Sequence, residues 1–271
     1  MFDSGFGGLT VARAVIDMLP DEHLVYIGDT GRYPYGPRPS REVRAFAREL
    51  AWSLVRDFDV KLLVVACNTA AAAGIEPLIA ELPVPVVTVI EPGVRALVTS
   101  TRNRRVGVIG TVGTIGSGTY QRAVAATGER VTLTCSACPG FVEFVERGET
   151  EGEQVTILAE RLLAPAVDAK VDALLLGCTH YPFLARVIGE VMGRDVVLVS
   201  SADETAFEVR DVLTRSGLAR AGLTRAGGGE SARHRFLSSG DVDLFARLGQ
   251  RLLGPELAHA EPWIPSGKEH R

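Results

Sequence analysis

Short apolar runs alternate with amphipathic stretches along almost the whole chain. Several of the runs are rich in β-branched residues and have no polar position, which is typical of parallel strands covered on both faces. The stretches between them carry apolar residues at helical spacing, most clearly from Ser40 to Phe58. The predicted strands are Leu24–Ile27, Val60–Ala66, Val86–Ile90, Val106–Ile109, Val131–Thr134, Val171–Leu176, Val196–Val199 and Arg235–Ser238. This alternation predicts an α/β fold with mainly parallel sheets.

Two segments of the chain resemble each other. Leu62–Thr69 and Leu174–His180 each consist of an apolar strand, a small residue, a cysteine and nearby hydroxyl-bearing residues. Their separation is roughly the length of one α/β domain. We therefore expect two similar domains that face each other across a cleft, with residues 1–93 and 206–254 in the first and residues 94–205 in the second. Residues 255–271 lack periodicity and are predicted to form a loose C-terminal tail.

Composition excludes several classes of function. The 271 residues are 46% hydrophobic and 23% charged, as in an ordinary globular protein, and the net charge of -4 gives no support to a nucleic-acid partner. No apolar run approaches the ~20 residues that cross a bilayer, and the N-terminus lacks a signal-peptide pattern, so we expect no membrane partner. Four cysteines are too few for a disulfide scaffold, which favours a cytoplasmic protein with reduced thiols. The oligomeric state is not indicated, and a homodimer stays open.

The candidate chemistry begins with the two cysteines of the repeated segment. Cys67 and Cys178 both follow predicted strands, at the carboxyl ends where ligands bind in open α/β sheets. Each also precedes a predicted helix, whose free N–H groups favour a thiolate. A single free cysteine is commonly a small buried hydrophobe. Two in matching contexts, each followed by a threonine within two residues, indicate a pair of reactive thiols.

Three further segments lie at the ends of predicted strands or lead into a helix. They are Asp3–Gly8, Asp29–Gly36 and Gly110–Thr114. Each alone is typical of a turn, but their recurrence at strand ends predicts a shared pocket. The glycines after the strand ending at Ile109 do not have dinucleotide-loop spacing, and no phosphate-loop Lys-Ser/Thr pair follows them, so a nucleotide cofactor is disfavoured.

A further motif is the C-x-x-C of Cys135 and Cys138. A zinc ribbon needs a second such pair, which the sequence lacks, and in a thioredoxin-like motif Pro139 would stand between the cysteines rather than after them. The pair is therefore interpreted as structural. The sequence predicts neither a metal nor a cofactor.

Together these motifs resemble the glutamate racemase family over nearly the whole chain. The residues that carry the resemblance are Phe2–Gly5, Gly7–Thr10, Ile27–Thr30, Tyr33–Gly36, Ala66–Ala70, Ile109–Thr111 with Thr114, Ala137–Pro139 and Gly177–Pro182. His180 separates the glutamate enzymes from aspartate racemases, which usually carry Glu there. Family members usually have several apolar residues before Phe-Asp-Ser-Gly, whereas here only Met1 precedes Phe2, so either the start is assigned too late or the first strand is truncated.

The resemblance implies a cofactor-independent racemase that interconverts L- and D-glutamate by two-base proton transfer and supplies D-glutamate for peptidoglycan synthesis. It implies that Cys67 acts on D-glutamate and Cys178 on L-glutamate, with Asp3, Glu146 and His180 assisting. Glu146 is preferred to Glu143 because the family commonly has proline at the latter position. The implied substrate contacts are Asp3, Ser4, Pro34, Tyr35, Gly36, Cys67, Asn68, Thr69, Thr111, Thr114, Cys178, Thr179 and His180.

Two other functions stay open on the sequence. The same chemistry could act on aspartate or on another small acidic or hydantoin-type compound. A less favoured alternative is a cysteine hydrolase with Cys178 as nucleophile and His180 as base. Covalent trapping of an acyl-enzyme would indicate the hydrolase, and solvent deuterium at the α-carbon would indicate the racemase.

Overall fold

Strands and helices alternate through the computed structural model, which describes residues 1–220 and 232–264. The strands in those residues are β1 Phe2–Asp3, β2 Leu24–Gly28, β3 Leu63–Val65, β4 Val86–Thr88, β5 Arg105–Gly110, β6 Thr132–Ala137, β7 Ala173–Gly177, β8 Val197–Val199, β9 His234–Ser238 and β10 Glu261–Pro262. The helices are α1 Leu9–Met18, α2 Ser40–Phe58, α3 Asn68–Ala71, α4 Glu76–Glu81, α5 Ile90–Ser100, α6 Val112–Gly116, α7 Thr119–Ala126, α8 Phe141–Glu146, α9 Glu153–Asp168, α10 Ala185–Met192, α11 Ser201–Arg215 and α12 Val242–Leu253. Two 3₁₀ turns, Tyr181–Leu184 and Gly254–Leu257, complete the description.

The strands form two sheets. The first has the order β10-β9-β2-β1-β3-β4 and the second the order β6-β5-β7-β8. The pairings along both sheets are parallel. The predicted α/β class with parallel sheets is therefore confirmed, while the domain limits after residues 93 and 205 stay a prediction. None of the helices in the described part of the chain is both long enough and apolar enough to cross a membrane.

The predicted strands agree with the observed ones to within a few residues, and one of them needs a clear correction. Helix α2 has the predicted bounds and buries its apolar face. The strand predicted over Val86–Ile90 ends at Thr88, and Ile90 instead begins α5. Pro92 lies in the first turn of that helix, where the missing N–H costs no hydrogen bond. Periodicity could not separate a short apolar strand from the start of a buried helix.

Strand β1 is short, but it occupies the middle of the first sheet. Phe2 is paired with Ile27 on one side and with Val65 on the other. Both Phe2 and Asp3 are fully buried. The two residues therefore fix the position of the loop that follows, which begins at Ser4.

The C-terminal segment corrects a prediction. Residues 255–264 were expected to be loose, yet β10 is paired with β9, and Leu257 is fully buried. Trp263 is also buried, and its indole Nε1 donates a hydrogen bond to Ser53 Oγ at 2.9 Å. The segment was missed because Leu257 lies in a single 3₁₀ turn and Trp263 follows a strand of two residues, which leaves no periodic pattern to detect. The predicted tail beyond Ile264 lies outside the described residues.

The parallel topology determines where a site can lie. All strands of a parallel sheet end at the same edge, so the loops after β1, β2 and β3 meet at one edge of the first sheet. The loops after β5 and β7 meet in the same way at the edge of the second sheet. The two cysteines Cys67 and Cys178 and the three segments that were predicted to share a pocket all lie at these edges.

Packing of the C-terminal segment can be tested with Leu257→Ala. Leu257 is fully buried and packs against Gly249 of α12. Its truncation is expected to lower the free energy of unfolding by about 2–5 kcal/mol, measured by urea denaturation with circular dichroism. The control is Leu244→Ala in α12, because Leu244 is 45% exposed. Its free energy of unfolding is expected to stay within about 0.5 kcal/mol of that of the unmodified protein. Equal effects of the two variants would show that the segment does not contribute to the core.

Candidate active site

A small cavity lies where the loops of the two sheets meet. Its volume is about 20 Å³, which holds about one water molecule. The residues that line it are Ser4, Tyr33, Pro34, Tyr35, Gly36, Cys67, Asn68, Thr69, Thr111, Val142, Cys178, Thr179 and His180. Both cysteines of the repeated segment therefore face one enclosed space.

Cys67 enters the cavity from the first sheet. It follows β3 after one residue and is the N-cap of α3, where its Sγ accepts a hydrogen bond from Ala70 N–H at 3.4 Å. Its own S–H is directed to Ser4 Oγ at 3.6 Å. Burial, together with the nearby Asp3 carboxylate, raises the pKa of Cys67 to about 12. Cys67 is therefore a thiol at neutral pH.

Cys178 enters from the second sheet, directly after β7. A helix was expected immediately after it, as after Cys67, but the chain makes a turn at Thr179 and His180 and then a single 3₁₀ turn. Tyr181 precedes Pro182, and a residue before proline disfavours the α conformation. Helix α10 begins only at Ala185, so the two cysteine contexts are less alike than the sequence indicated.

His180 contacts Cys178 and is enclosed by the protein. Its Nδ1 lies 4.0 Å from Cys178 Sγ, and its Nε2 lies 2.9 Å from Glu146 Oε1. The ring is 2% exposed, and the Phe6 ring packs edge-on at 5.0 Å. Burial alone would lower the pKa of His180, but the interactions with Cys178 and Glu146 outweigh it and raise the pKa to about 10. The imidazole therefore carries a positive charge at neutral pH.

Asp3 lies beneath the cavity and links the two sheets. One carboxylate oxygen accepts a hydrogen bond from Gly5 N–H at 3.0 Å, and the other accepts one from Thr179 Oγ1 at 3.3 Å. Burial raises the pKa of Asp3, and the nearby His180 opposes that shift. Asp3 therefore acts on the cavity through Thr179, His180 and Cys67 rather than by lining it.

Three threonine hydroxyls form a cluster at the side of the cavity. Thr69 comes from the first sheet, whereas Thr111 and Thr114 follow β5 of the second, and their Oγ1 atoms lie 2.9–3.1 Å apart. Next to them, Asn68 Nδ2 donates to Tyr120 Oη at 2.8 Å. Asn68 Oδ1 has no partner within residues 1–220 and 232–264. The cluster offers donors and an acceptor to a polar ligand.

The structure brings the predicted site residues together. Eleven of them line the cavity, and the other three contact it only through neighbouring side chains. Asp3, Thr114 and Glu146 do not line the cavity but are hydrogen-bonded to residues that do. The chemical role of each residue stays a prediction. Cys135 and Cys138 lie at β6 as free thiols, and the described residues contain no group of three or more His, Cys, Asp or Glu side chains that could hold a metal ion.

Three residues around the cavity were not among the predicted site residues, although Tyr33 belongs to the segment Asp29–Gly36 that was predicted to form part of a shared pocket. Tyr33 packs against His180 with the ring centroids 5.8 Å apart, and its buried hydroxyl makes no well-formed hydrogen bond within the described chain. Burial and the nearby Glu146 keep the pKa of Tyr33 above its ordinary value. The position of Tyr33 directly before Pro34, a predicted substrate contact, could have indicated that Tyr33 also lies at the cavity. Val142 and Tyr120 gave no signal, because only the tertiary structure brings their helices to the cavity.

Known proteins can now be compared with this site. The family model for Asp/Glu/Hydantoin racemase matches residues 9–208. The chain belongs to this family. A protein from Parafrankia sp. (strain EAN1pec) called glutamate racemase is 54% identical over 257 residues, which cover 95% of this chain and 91% of that protein. The family resemblance of the sequence motifs is confirmed.

Solved structures agree with that membership. The glutamate racemase isoform RacE1 from Bacillus anthracis has a TM-score of 0.87 and 40% identity, covering 96% of this chain and 94% of that one. The glutamate racemase from Francisella tularensis, in complex with D-glutamate, has a TM-score of 0.88 and 29% identity, covering 98% and 96%. The shared fold thus extends over both sheets.

The charge on His180 predicts a pH-dependent contribution to stability. Because the pKa rises from 6.5 to about 10 on folding, this contribution is complete below pH 6.5 and is lost as the pH rises towards 10. We expect the free energy of unfolding to fall more steeply over this interval in the unmodified protein than in His180→Gln, as measured by denaturant titrations. Ionisation of Cys67 affects both proteins and is removed by the comparison. Parallel pH profiles would contradict a charged His180.

Proposed function

We propose that this protein is a cofactor-independent glutamate racemase in which Cys67 and Cys178 exchange the α-proton. One observation carries the proposal: two buried thiols, one following β3 and the other following β7, line the same cavity. Inversion at carbon needs a base on one face and an acid on the other. Thiols supplied by two different sheets meet that requirement, whereas a single thiol could only exchange the proton on one face.

The two thiols have different charged groups beside them. Cys67 is protonated and lies near the Asp3 carboxylate. Cys178 lies 4.0 Å from an imidazole that is charged at neutral pH. We therefore assign the acid to Cys67 and the base to Cys178 when L-glutamate binds, with the roles exchanged for D-glutamate.

The thiols alone do not account for the reaction. An α-proton beside a carboxylate is a very weak acid, and a positioned base typically contributes ~10²–10⁴-fold. The remainder must come from donors that stabilise the carbanion-like transition state in a dry site. The hydroxyls of Ser4, Thr69 and Thr179 and the charged His180 are buried donors around the cavity. The cavity has room for about one water, so we propose that it widens when substrate binds.

Glutamate is preferred to aspartate as the substrate. The relatives at about half identity carry the name glutamate racemase, and the Francisella protein was solved with D-glutamate. We further propose that the protein works in the cytoplasm, because all four cysteines are free, and that its D-glutamate serves peptidoglycan synthesis. A homodimer stays a prediction that light scattering can check.

A cysteine hydrolase is the second candidate. The order Cys178, His180, Glu146 is that of a nucleophile, a base and an orienting carboxylate. This arrangement leaves Cys67 without a function, although its thiol lines the same cavity. The racemase uses both cysteines and is therefore the better account.

Circular dichroism of glutamate solutions tests the function directly. L- and D-glutamate, incubated separately with the protein after dialysis against a chelator, should both lose their signal and converge on zero. Aspartate is the comparison substrate, and equal rates with both amino acids would contradict the glutamate assignment. Activity that appears only on adding a metal or pyridoxal phosphate would contradict cofactor independence.

Serine substitutions test the two-thiol mechanism. Because every turnover uses one thiol as base and the other as acid, Cys67→Ser and Cys178→Ser should each reduce racemisation by at least about 10²-fold. Residual wash-in of solvent deuterium, followed by NMR, should favour L-glutamate in Cys67→Ser and D-glutamate in Cys178→Ser. Cys135→Ser, outside the cavity, is the control and should keep its activity. Normal racemisation by either cavity variant would refute the mechanism, and a reversed wash-in pattern would reverse only the assignment of faces.

Gly7→Ala tests whether the His180 ring must keep its position. A Cβ at residue 7 would lie 2.6 Å from both His180 Nδ1 and Thr179 Oγ1, so the ring must shift. A displacement of this size typically costs up to about 10²-fold in turnover. Gly116→Ala is the control, because nothing lies within 4 Å of its added Cβ. Similar turnover numbers for the two variants would show that the ring position is unimportant.

A further inference from the structure

The loop Tyr33–Gly36, here called the substrate loop, forms one wall of the cavity. It extends from the first sheet and meets the second where Gly113 N–H donates to Gly36 O at 3.0 Å. On its own side, the loop is held through the Tyr35 hydroxyl, which donates a short hydrogen bond to Asp29. Tyr35 itself is almost completely buried. The position of this wall therefore depends on Asp29.

Asp29 is a fully buried carboxylate that does not line the cavity. It follows β2, and one of its oxygens accepts hydrogen bonds from both Tyr35 Oη and Arg32 Nε, the latter at 2.7 Å. The other oxygen accepts from Ser239 Oγ at 2.6 Å, just after β9. A buried carboxylate with three donors is a rigid anchor, because charge-assisted hydrogen bonds are short and directional.

Arg32 is itself held from two sides. Its guanidinium forms an ion pair with Glu49 of α2 and lies 4.3 Å from the ring centroid of Phe46 on the same helix. On the other side, it lies 5.5 Å from the ring of Trp263, in the C-terminal segment. Aromatic faces attract a guanidinium, so the two rings confine it. The C-terminal segment thereby reaches the substrate loop through Arg32 and Asp29.

We propose that Asp29 is a positioning residue for the substrate loop and that Trp263 braces it through Arg32. The consequence for turnover rests on the proposed function. The loop supplies neither the acid nor the base of the proposed reaction, because both thiols come from other elements. Loosening the loop weakens ground-state and transition-state binding alike. Such a loss raises KM and leaves kcat unchanged.

Asp29→Asn is the first test. An amide presents only one oxygen acceptor, so it cannot accept from Arg32, Tyr35 and Ser239 together. The expected result is a KM for D-glutamate about tenfold higher, with kcat within about threefold of the unmodified value. An unchanged KM, or a fall in kcat alone, would overturn the positioning role.

Ser239→Ala serves as a second variant if Asp29→Asn does not fold. It removes one donor to Asp29 and leaves the bonds from Arg32 and Tyr35 in place. The expected rise in KM is about threefold, again without a change in kcat. A KM equal to that of the unmodified protein would count against the anchor.

Trp263→Phe tests the brace, with Trp52→Phe as a matched control. Both indoles lie beside an arginine, since Arg56 is 4.4 Å from the Trp52 ring, but only Trp263 contacts Arg32. Hydrogen exchange by mass spectrometry should show faster exchange in residues 31–38 for Trp263→Phe and no change there for Trp52→Phe. Equal exchange in the two variants would overturn the brace.

The two kinds of measurement separate the proposals. If the unmodified protein does not racemise glutamate, the proposed function fails, and the exchange experiment still decides whether Trp263 holds the loop. If it racemises glutamate and neither KM nor exchange responds to the variants, only the positioning role fails.

Discussion

The hydrogen bond from Thr179 to Asp3 joins the two halves of the site. Asp3 belongs to a strand of two residues in the middle of the first sheet, and Thr179 belongs to the turn after β7 of the second. Because the carboxylate is fully buried, its field acts at short range on both sides of the cavity. It contributes to the raised pKa of Cys67 and to that of His180. Asp3 thus makes one of the contacts between the two sheets and also affects the pKa values of Cys67 and His180.

The two thiols have different surroundings, yet they catalyse a reaction whose substrate and product are mirror images. Enantiomers have equal free energies in solution, so kcat/KM must be the same in both directions whatever the surroundings of each thiol. Asp3, His180 and Glu146 can affect the protonation state of the site before substrate binds. That state determines which enantiomer binds with its α-proton facing a deprotonated thiol. Differences between the directions then belong to kcat and KM separately and to isotope wash-in. The pair of opposed environments is the expected arrangement for acid and base groups of one chemical type.

The two sides of the site are held in place in different ways. The thiols and Asp3 are attached directly to buried strands, which hold them to the sheets. The wall opposite them is a loop held by Asp29, Arg32 and, through Arg32, by the C-terminal segment. A cavity with room for about one water has to widen around glutamate.

The sequence by itself determined the elements and the location of the chemistry. Apolar runs predicted most of the strands, helical spacing predicted α2 to its bounds, and the repeated cysteine segment led to Cys67 and Cys178 at strand ends. These features are local, so neighbouring residues suffice to reveal them. Glu146 was named only through the family resemblance, whereas His180 also drew attention because it lies two residues after Cys178.

The tertiary structure decided what depends on distant parts of the chain. It gave the 3₁₀ turn after Cys178, the place of Tyr33 and Val142 at the cavity, and the packing of Trp263. It also decided that Cys67 is a thiol and His180 a cation, because a pKa shift depends on burial and on charges brought near by folding. Residues far apart in sequence, such as Asp3 and Thr179, acquire these properties only when the two sheets meet.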